Sequence, residues 1–196
     1  MITTARLQLR SWRDEDLEPF AALNADPRVR AFFPALQTYQ QSAESMQNIG
    51  EHFRRHGFGL WAIEVLGGAS FVGFVGLSVP SFDAPFTPCV ELGYRLAFEH
   101  WDRGFATEGA RAALAFGFAT LGLAEVVAMT AVDNVRSRRV MERVGMTRNP
   151  GDDFDHPDIV VGHPLRRHVL YRLRAPDWKA AAAVDGEQGR GNTSGL

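Results

Sequence analysis

From Ala5 to Arg10 apolar and polar residues alternate, with Ala5, Leu7 and Leu9 set against Arg6, Gln8 and Arg10. A period of two predicts a strand with one wet face. After Asp14-Glu15-Asp16, residues Leu17, Phe20, Ala21 and Leu23 recur at helical spacing. Acids in a first turn suit the helix dipole, and Asn24-Ala25-Asp26-Pro27 ends this helix. A second helical pattern covers about Tyr39 to His56, with Gly57 as its stop signal. Strand patterns follow at Leu60–Leu66, Phe71–Val79 and Val90–Ala97. Gly67-Gly68 predicts a hairpin turn between the first two, and Pro80, Pro85 and Pro88 bracket a loop before the third. A helix from about Gly104 to Leu121, a strand from Val126 to Val132, a helix from Asn134 to Val144 stopped by Gly145, and a strand from Val169 to Arg174 complete the order.

The strand at 90–97, the helix at 104–121 and the strand at 126–132 form one βαβ unit, so those two strands should be parallel with a right-handed crossover. The second is apolar on both faces, as a central covered strand should be. The fold class is therefore α/β (α+β), one domain over residues 1–176. Residues 177–196 turn to Ala, Gly, Ser and polar side chains with little to bury, which predicts a disordered tail. From Ala112 to Val132 the only charge is Glu125. That length is nominally enough to span a bilayer. Its texture changes midway from helix-forming to strand-forming residues, so it reads as a buried helix followed by a buried strand.

Composition narrows the class. The chain has 196 residues, 45% hydrophobic and 22% charged, which is ordinary for one globular domain. The formal net charge of −2 gives no support for a nucleic-acid binder. Cys89 is the single cysteine, so neither an internal disulfide nor a multi-cysteine metal site is available, and a reducing, cytoplasmic setting is expected. Met1 to Trp12 lacks an apolar h-region, so no signal peptide is read there. Lys179 is the only lysine among 21 basic side chains. That skew reads as codon bias in a GC-rich, bacterial genome, with a smaller share left for arginines that bind anions.

Two segments carry candidate chemistry. In His100-Trp-Asp-Arg-Gly-Phe-Ala-Thr-Glu108 a strand ends and a small-residue turn opens a helix. Helix N-termini present unpaired N–H groups to anions, and Gly104 and Ala106 allow close approach. A plain strand-to-helix turn is the competing reading. Neither a GKS/T sequence nor GxGxxG is present, which argues against a nucleotide-hydrolysing or dinucleotide site. The second segment runs from Asp133 to Met146. Asp133 or Asn134 can cap its helix, and Arg136, Arg139 and Arg143 share a face. The bland reading of the segment is a capped amphipathic helix with a solvated arginine face.

Together, Glu91-Leu-Gly-Tyr-Arg-Leu96, Trp101-Asp-Arg-Gly-Phe-Ala-Thr-Glu108 and Asn134-x-x-Ser137-x-x-x-Met141-Glu-x-x-Gly145-Met resemble the GNAT N-acetyltransferase superfamily. They are most similar to its RimJ/RimL-like branch, which the opening Thr4-Ala-Arg-Leu-Gln-Leu-Arg10 also fits. The resemblance covers about residues 3–174. It implies a mixed sheet of about six to seven strands flanked by helices, with splayed central parallel strands. It also implies acetyl-CoA as cosubstrate and a primary amine, either a protein N-terminus or a small molecule, as acceptor. Transfer would be direct, in a ternary complex. A non-catalytic acyl-CoA-binding module is the alternative, and a homodimer is left open.

The resemblance also assigns residues. Leu96 lies on the cofactor strand, and the loop through Arg103, Gly104, Phe105, Ala106 and Thr107 would hold the pyrophosphate. Asn134 would reach the pantetheine, Ser137 would lie near the thioester, and Arg103 and Arg138 are phosphate partners. Trp101 replaces the Gln or Arg that often begins the loop. Met141 stands where many members carry a tyrosine acid, so the thiolate must take its proton from Ser137, from water, or from no specific group. Glu91 is the first candidate for the base, with an arginine-paired strand acid as the competing reading. His156, His163 and His168 read mainly as turn and strand-end residues, with substrate tuning or a base as the second reading. Their spacing matches no standard metal motif, so no metal is expected. Trp12, Trp61 and Trp101 read as core or cleft wall.

Overall fold

A computed structural model describes residues 1–180. The N-terminal alternation is realised in β1 (Ile2–Thr3) and β2 (Leu7–Arg10), where Leu7 and Leu9 are fully buried. Arg10 departs from the expected wet face and is buried. It is paid for by charge: its guanidinium grips both carboxylate oxygens of Asp16 at 2.7 and 2.8 Å and that of Glu64 at 2.9 Å. The first two helices follow as α1 (Leu17–Ala25) and α2 (Tyr39–His56). A Thr38/Gln41 capping box starts α2, and Gly57 ends it at φ 75°.

The hairpin of β3 (Leu60–Val65) and β4 (Gly73–Ser78) leads to β5 (Glu91–Leu96), α3 (Phe105–Ala119) and β6 (Glu125–Ala131). After these come α4 (Val135–Arg143), β7 (Thr147–Arg148), β8 (Phe154–Asp155) and β9 (Arg167–Arg174). The mixed sheet has nine strands, ordered β1-β2-β3-β4-β5-β6-β9-β7, with β8 also on β9. The strands beyond the expected six or seven are β1, β7 and β8. Each is two residues long, too short for periodicity to reveal.

Every pairing is antiparallel except β5 with β6, the parallel pair expected of the βαβ unit. One face of the sheet carries α3 and α4 over the main core of Leu7, Leu9, Val75, Leu92, Leu114, Val126 and Met141. The other carries α1 and α2 over Phe20, Leu23, Ala62, Phe71 and Phe74. Gly109 lets α3 lie close on β4, since a Cβ there would sit 2.8 Å from Val75.

Residues 175–180 are helical, and Trp178 stacks on Phe118 at 5.7 Å. Within the expected tail, residues 177–180 are thus helical and Trp178 packs on the domain. The rest of that tail, 181–196, lies outside the described residues. No helix among the described residues is long and apolar enough to cross a membrane.

Candidate active site

The site grows from a defect in the sheet. β6 pairs with β9 from Glu125↔Arg174 to Ala131↔His168, and β5 pairs with β4 from Ser78↔Glu91 to Gly73↔Leu96. Between β5 and β6, however, there is one register point, Glu91↔Val127, closed by the Val127 N–H donating to Val90 O at 2.9 Å. Beyond it the two strands diverge. Ala97 N–H donates across to Val72 O. Strand backbones present alternate residues to alternate edges, so the N–H groups of Tyr94 and Leu96 face the gap.

At the wide end of the gap the chain turns through Trp101 to Gly104 into α3. Asp102 has φ 58° and Gly104 has φ 80°. No side chain caps α3, so its first-turn N–H groups are open to an anion. Phe105 is buried and anchors the turn, while Ala106 and Thr107 are half-buried and Arg103 is exposed. The loop is clamped from three sides. Arg6 donates to Arg103 O at 2.9 Å and pairs with Glu108 at 2.6 Å, and Thr4 also bonds Glu108 at 2.6 Å. Arg136 pairs with Asp102 at 2.8 Å and covers the Trp101 ring at 5.1 Å. The Trp101 indole donates to Leu96 O at 2.8 Å. Arg6 and Arg136 carry this clamp and were missed in sequence. Arg6 looked like a wet-face strand residue, and Glu108, inside the loop motif, was its one visible partner.

On the α3/α4 face, Asn134 caps α4. Its Oδ1 accepts the Ser137 N–H at 3.2 Å and its Nδ2 donates to Thr130 Oγ1 at 2.9 Å. Both ends of the amide therefore serve the fold. Arg138, half-buried, donates from Nη1 to Val132 O at 3.1 Å. Met141 is buried in the core. Ser137 is met by a residue that the motif reading left without a role: the Tyr94 hydroxyl lies 2.8 Å from Ser137 O and 2.9 Å from Ser137 Oγ. Burial pushes the Tyr94 phenol well above the usual tyrosine range, so it stays protonated.

On the opposite face, pleat alternation aligns Glu91, Gly93 and Arg95 beside the gap. Glu91 forms no ion pair or side-chain hydrogen bond among the described residues, so the arginine-paired alternative does not hold. Burial pushes its carboxyl up to about 7. His156 and His168 lie ring to ring at 5.0 Å, with Phe82 4.6 Å from His156. Burial lowers the pKa of both imidazoles. His163 lies outside this cluster and accepts the Leu165 N–H at 3.1 Å. No group of three metal-binding side chains occurs among the described residues. Cys89 is a thiol, pushed up to about 11 by burial.

A gap between parallel strands that ends at an uncapped helix N-terminus is an arrangement for an extended, phosphate-bearing ligand. The family pattern for the acetyltransferase (GNAT) domain matches residues 6–147. The chain belongs to the GNAT acetyltransferase family. It is similar to the uncharacterized protein YkkB of Bacillus subtilis, 30% identical over 146 residues, 74% of this chain and 84% of that protein. It is also similar to the FsC-acetyl coenzyme A-N(2)-transacetylase of Aspergillus fumigatus, 40% identical over 157 residues, 74% of this chain but 63% of that protein. Its fold matches the spermidine N-acetyltransferase of Vibrio cholerae in complex with CoA and spermine, at TM-score 0.69 and 18% identity, covering 90% of this chain and 99% of that one. The GNAT chain described here is thus an acyltransferase, of a family that uses acetyl-CoA.

Proposed function

We propose that this chain transfers the acetyl group of acetyl-CoA to a primary amine by direct attack, with both substrates bound. The observation that carries the reading is the gap between β5 and β6, closed at Glu91 and open at the uncapped start of α3. Acetyl-CoA supplies the activated acyl group as a thioester.

The chain's own groups divide the remaining work. The Arg103–Thr107 loop binds the pyrophosphate through backbone N–H groups, with the exposed Arg103 side chain as its cationic partner. Leu96 and Tyr94 border the pantetheine channel. Their N–H groups stand ready for the oxygen that gains charge during attack. Glu91 takes a proton from the incoming ammonium, through a water where the two do not touch. An ordinary amine has a pKa near roughly 10, so a base is needed at neutral pH. Ser137, backed by the protonated Tyr94 hydroxyl, gives a proton to the departing thiolate. Tyr94 thus answers the absence of a tyrosine at Met141.

The motifs around Glu91, Trp101 and Asn134 support placement in the RimJ/RimL-like branch, and the lone Cys89 held as thiol suits a reducing cytoplasm. A protein N-terminus and a small amine are both acceptors for such a site. The test is thiol release from acetyl-CoA across amines and peptides, with wild type and Glu91→Gln. The variant should lose about a hundredfold or more in kcat. The wild-type rate should rise with pH through about 7, as Glu91 becomes its base form. An unchanged kcat and pH profile removes Glu91 from the role.

A further inference from the structure

Two arginines on the α1/α2 side of the sheet lack the carboxylate partners that buried guanidinium groups ordinarily have. Arg95, on β5, makes one hydrogen bond, from Nη1 to Asn24 Oδ1 at 2.8 Å, and its Nε is buried with no partner. Arg30, itself 9% exposed, donates from Nε to Ala35 O at 2.8 Å. Both lie against the ring of Phe33, with guanidinium carbons 4.5 Å (Arg30) and 4.2 Å (Arg95) from its centroid. The Phe33 ring is partly open to solvent. Neither arginine faces a carboxylate among the described residues. Burial lowers both pKa values, and Arg30 further lowers that of Arg95, to about 9.

The pair is held in place. Asn24 is fully buried, and its Nδ2 donates to Ser42 Oγ at 3.1 Å, which turns its Oδ1 toward Arg95. Arg95 shares its face with Gly93 and Glu91. With a rise of about 3.3 Å per residue, its Cα lies roughly 7 Å from Gly93 and twice that from Glu91. An amine over Gly93 therefore has the proposed base on one side and an unsatisfied cation on the other. The α3 phosphate loop is served from the opposite face of the sheet, so the cosubstrate's phosphates do not neutralise this pair.

We propose that Arg95, backed by Arg30, binds a carboxylate of the acceptor, so that the acceptor class is amino acids or peptides whose carboxylate lies a few bonds from the reacting amine. This rests on the acetyl-transfer reading and deepens it. The same charges disfavour polyamines, which would bring further cations to an uncompensated one.

The experiment is calorimetric binding, with CoA present, of N-acetyl-amino acids and their matching N-acetyl-amino amides, which differ only in the carboxylate. In wild type at least one acid should bind about tenfold or more tighter than its amide. In Arg95→Gln and in Arg30→Gln that ratio should collapse to below twofold, and in Arg95→Lys, which keeps the charge, it should be partly restored. Equal binding of every acid and amide, or a preference that survives both Gln variants, overturns the proposal. So does a loss of CoA affinity in Arg95→Gln with the acid preference intact. If the preference is present but no free amino acid, peptide or other amine releases thiol from acetyl-CoA, the carboxylate site stands and the acetyl-transfer reading fails.

Discussion

Arg10 is buried and Arg95 half-buried on strands of the same sheet, and they differ in every partner. Arg10 gives all three of its guanidinium nitrogens to Asp16, Glu64, Ser11 O and Ser70 O. Arg95 gives one bond to an amide and leaves its Nε bare. A saturated buried cation is part of the fold. An unsaturated one beside the gap is a binding group waiting for its anion. Glu91 extends the comparison to carboxylates: it lies next to the β5/β6 opening without a cation, whereas Asp16 is fully engaged.

The largest effect expected from this contrast is on Arg10. Arg10→Leu strands Asp16 without its ion and should cost about 3–5 kcal/mol in urea unfolding. Arg95→Leu strands no charge, only the Asn24 amide oxygen that it bonds, and should cost about 1–2 kcal/mol. Equal losses at the two positions would break the comparison.

Glu91→Gln comes next, with about a hundredfold loss of kcat and no loss of stability at pH 8. The sign follows from its carboxyl being raised to about 7 from an ordinary 4.5. The folded chain holds that proton more tightly than the unfolded one, so ionising Glu91 opposes folding as pH rises toward 7, and glutamine removes that cost.

Gly104→Ala tests the cofactor side. The left-handed φ of 80° should cost the alanine about 1–2 kcal/mol. The KM for acetyl-CoA should rise, because the loop that bears the anion-binding N–H groups is disturbed.

A smaller effect concerns histidine. His52 clips α2 to the sheet, as its Nε2 accepts the Val79 N–H at 3.0 Å. Burial lowers its pKa from 6.5. Its contribution is complete above 6.5 and fades as pH falls below it, so chemical denaturation should show stability dropping on the acid side in wild type and less in His52→Gln.

The elements around the gap were largely legible in sequence. A strand, a glycine turn and a helix start have recognisable patterns, so the positions of Glu91, Arg103 and Gly104 in the fold could be read from the sequence. The cap that Asn134 makes on α4 was expected from its place before the helix, whereas the bonds from Asn134 to Thr130 and from Arg138 to Val132 O depend on how α4 packs on β6 and carry no local signal. Arg10 was read as wet because alternation records pleat direction and not the ion pairs that let a charge go inside. Arg95, Arg30 and Phe33 come together from separate elements, and Tyr94 meets Ser137 across 43 residues. Such meetings are set by the packing of helices on the sheet, which no local period encodes. The short β7 and β8 escaped for the same reason, since their positions come from β9 and not from a pattern of their own.

The central claim is that the β5/β6 gap brings acetyl-CoA and an amine together for direct transfer. The most direct measurement follows CoA thiol and acetylated amine in the same reaction, across pH 5.5 to 9. The account predicts one thiol for each amide formed, at a rate that climbs through about pH 7. Tight CoA binding with no acetylated product from any amine, or thiol release without amide, would contradict it.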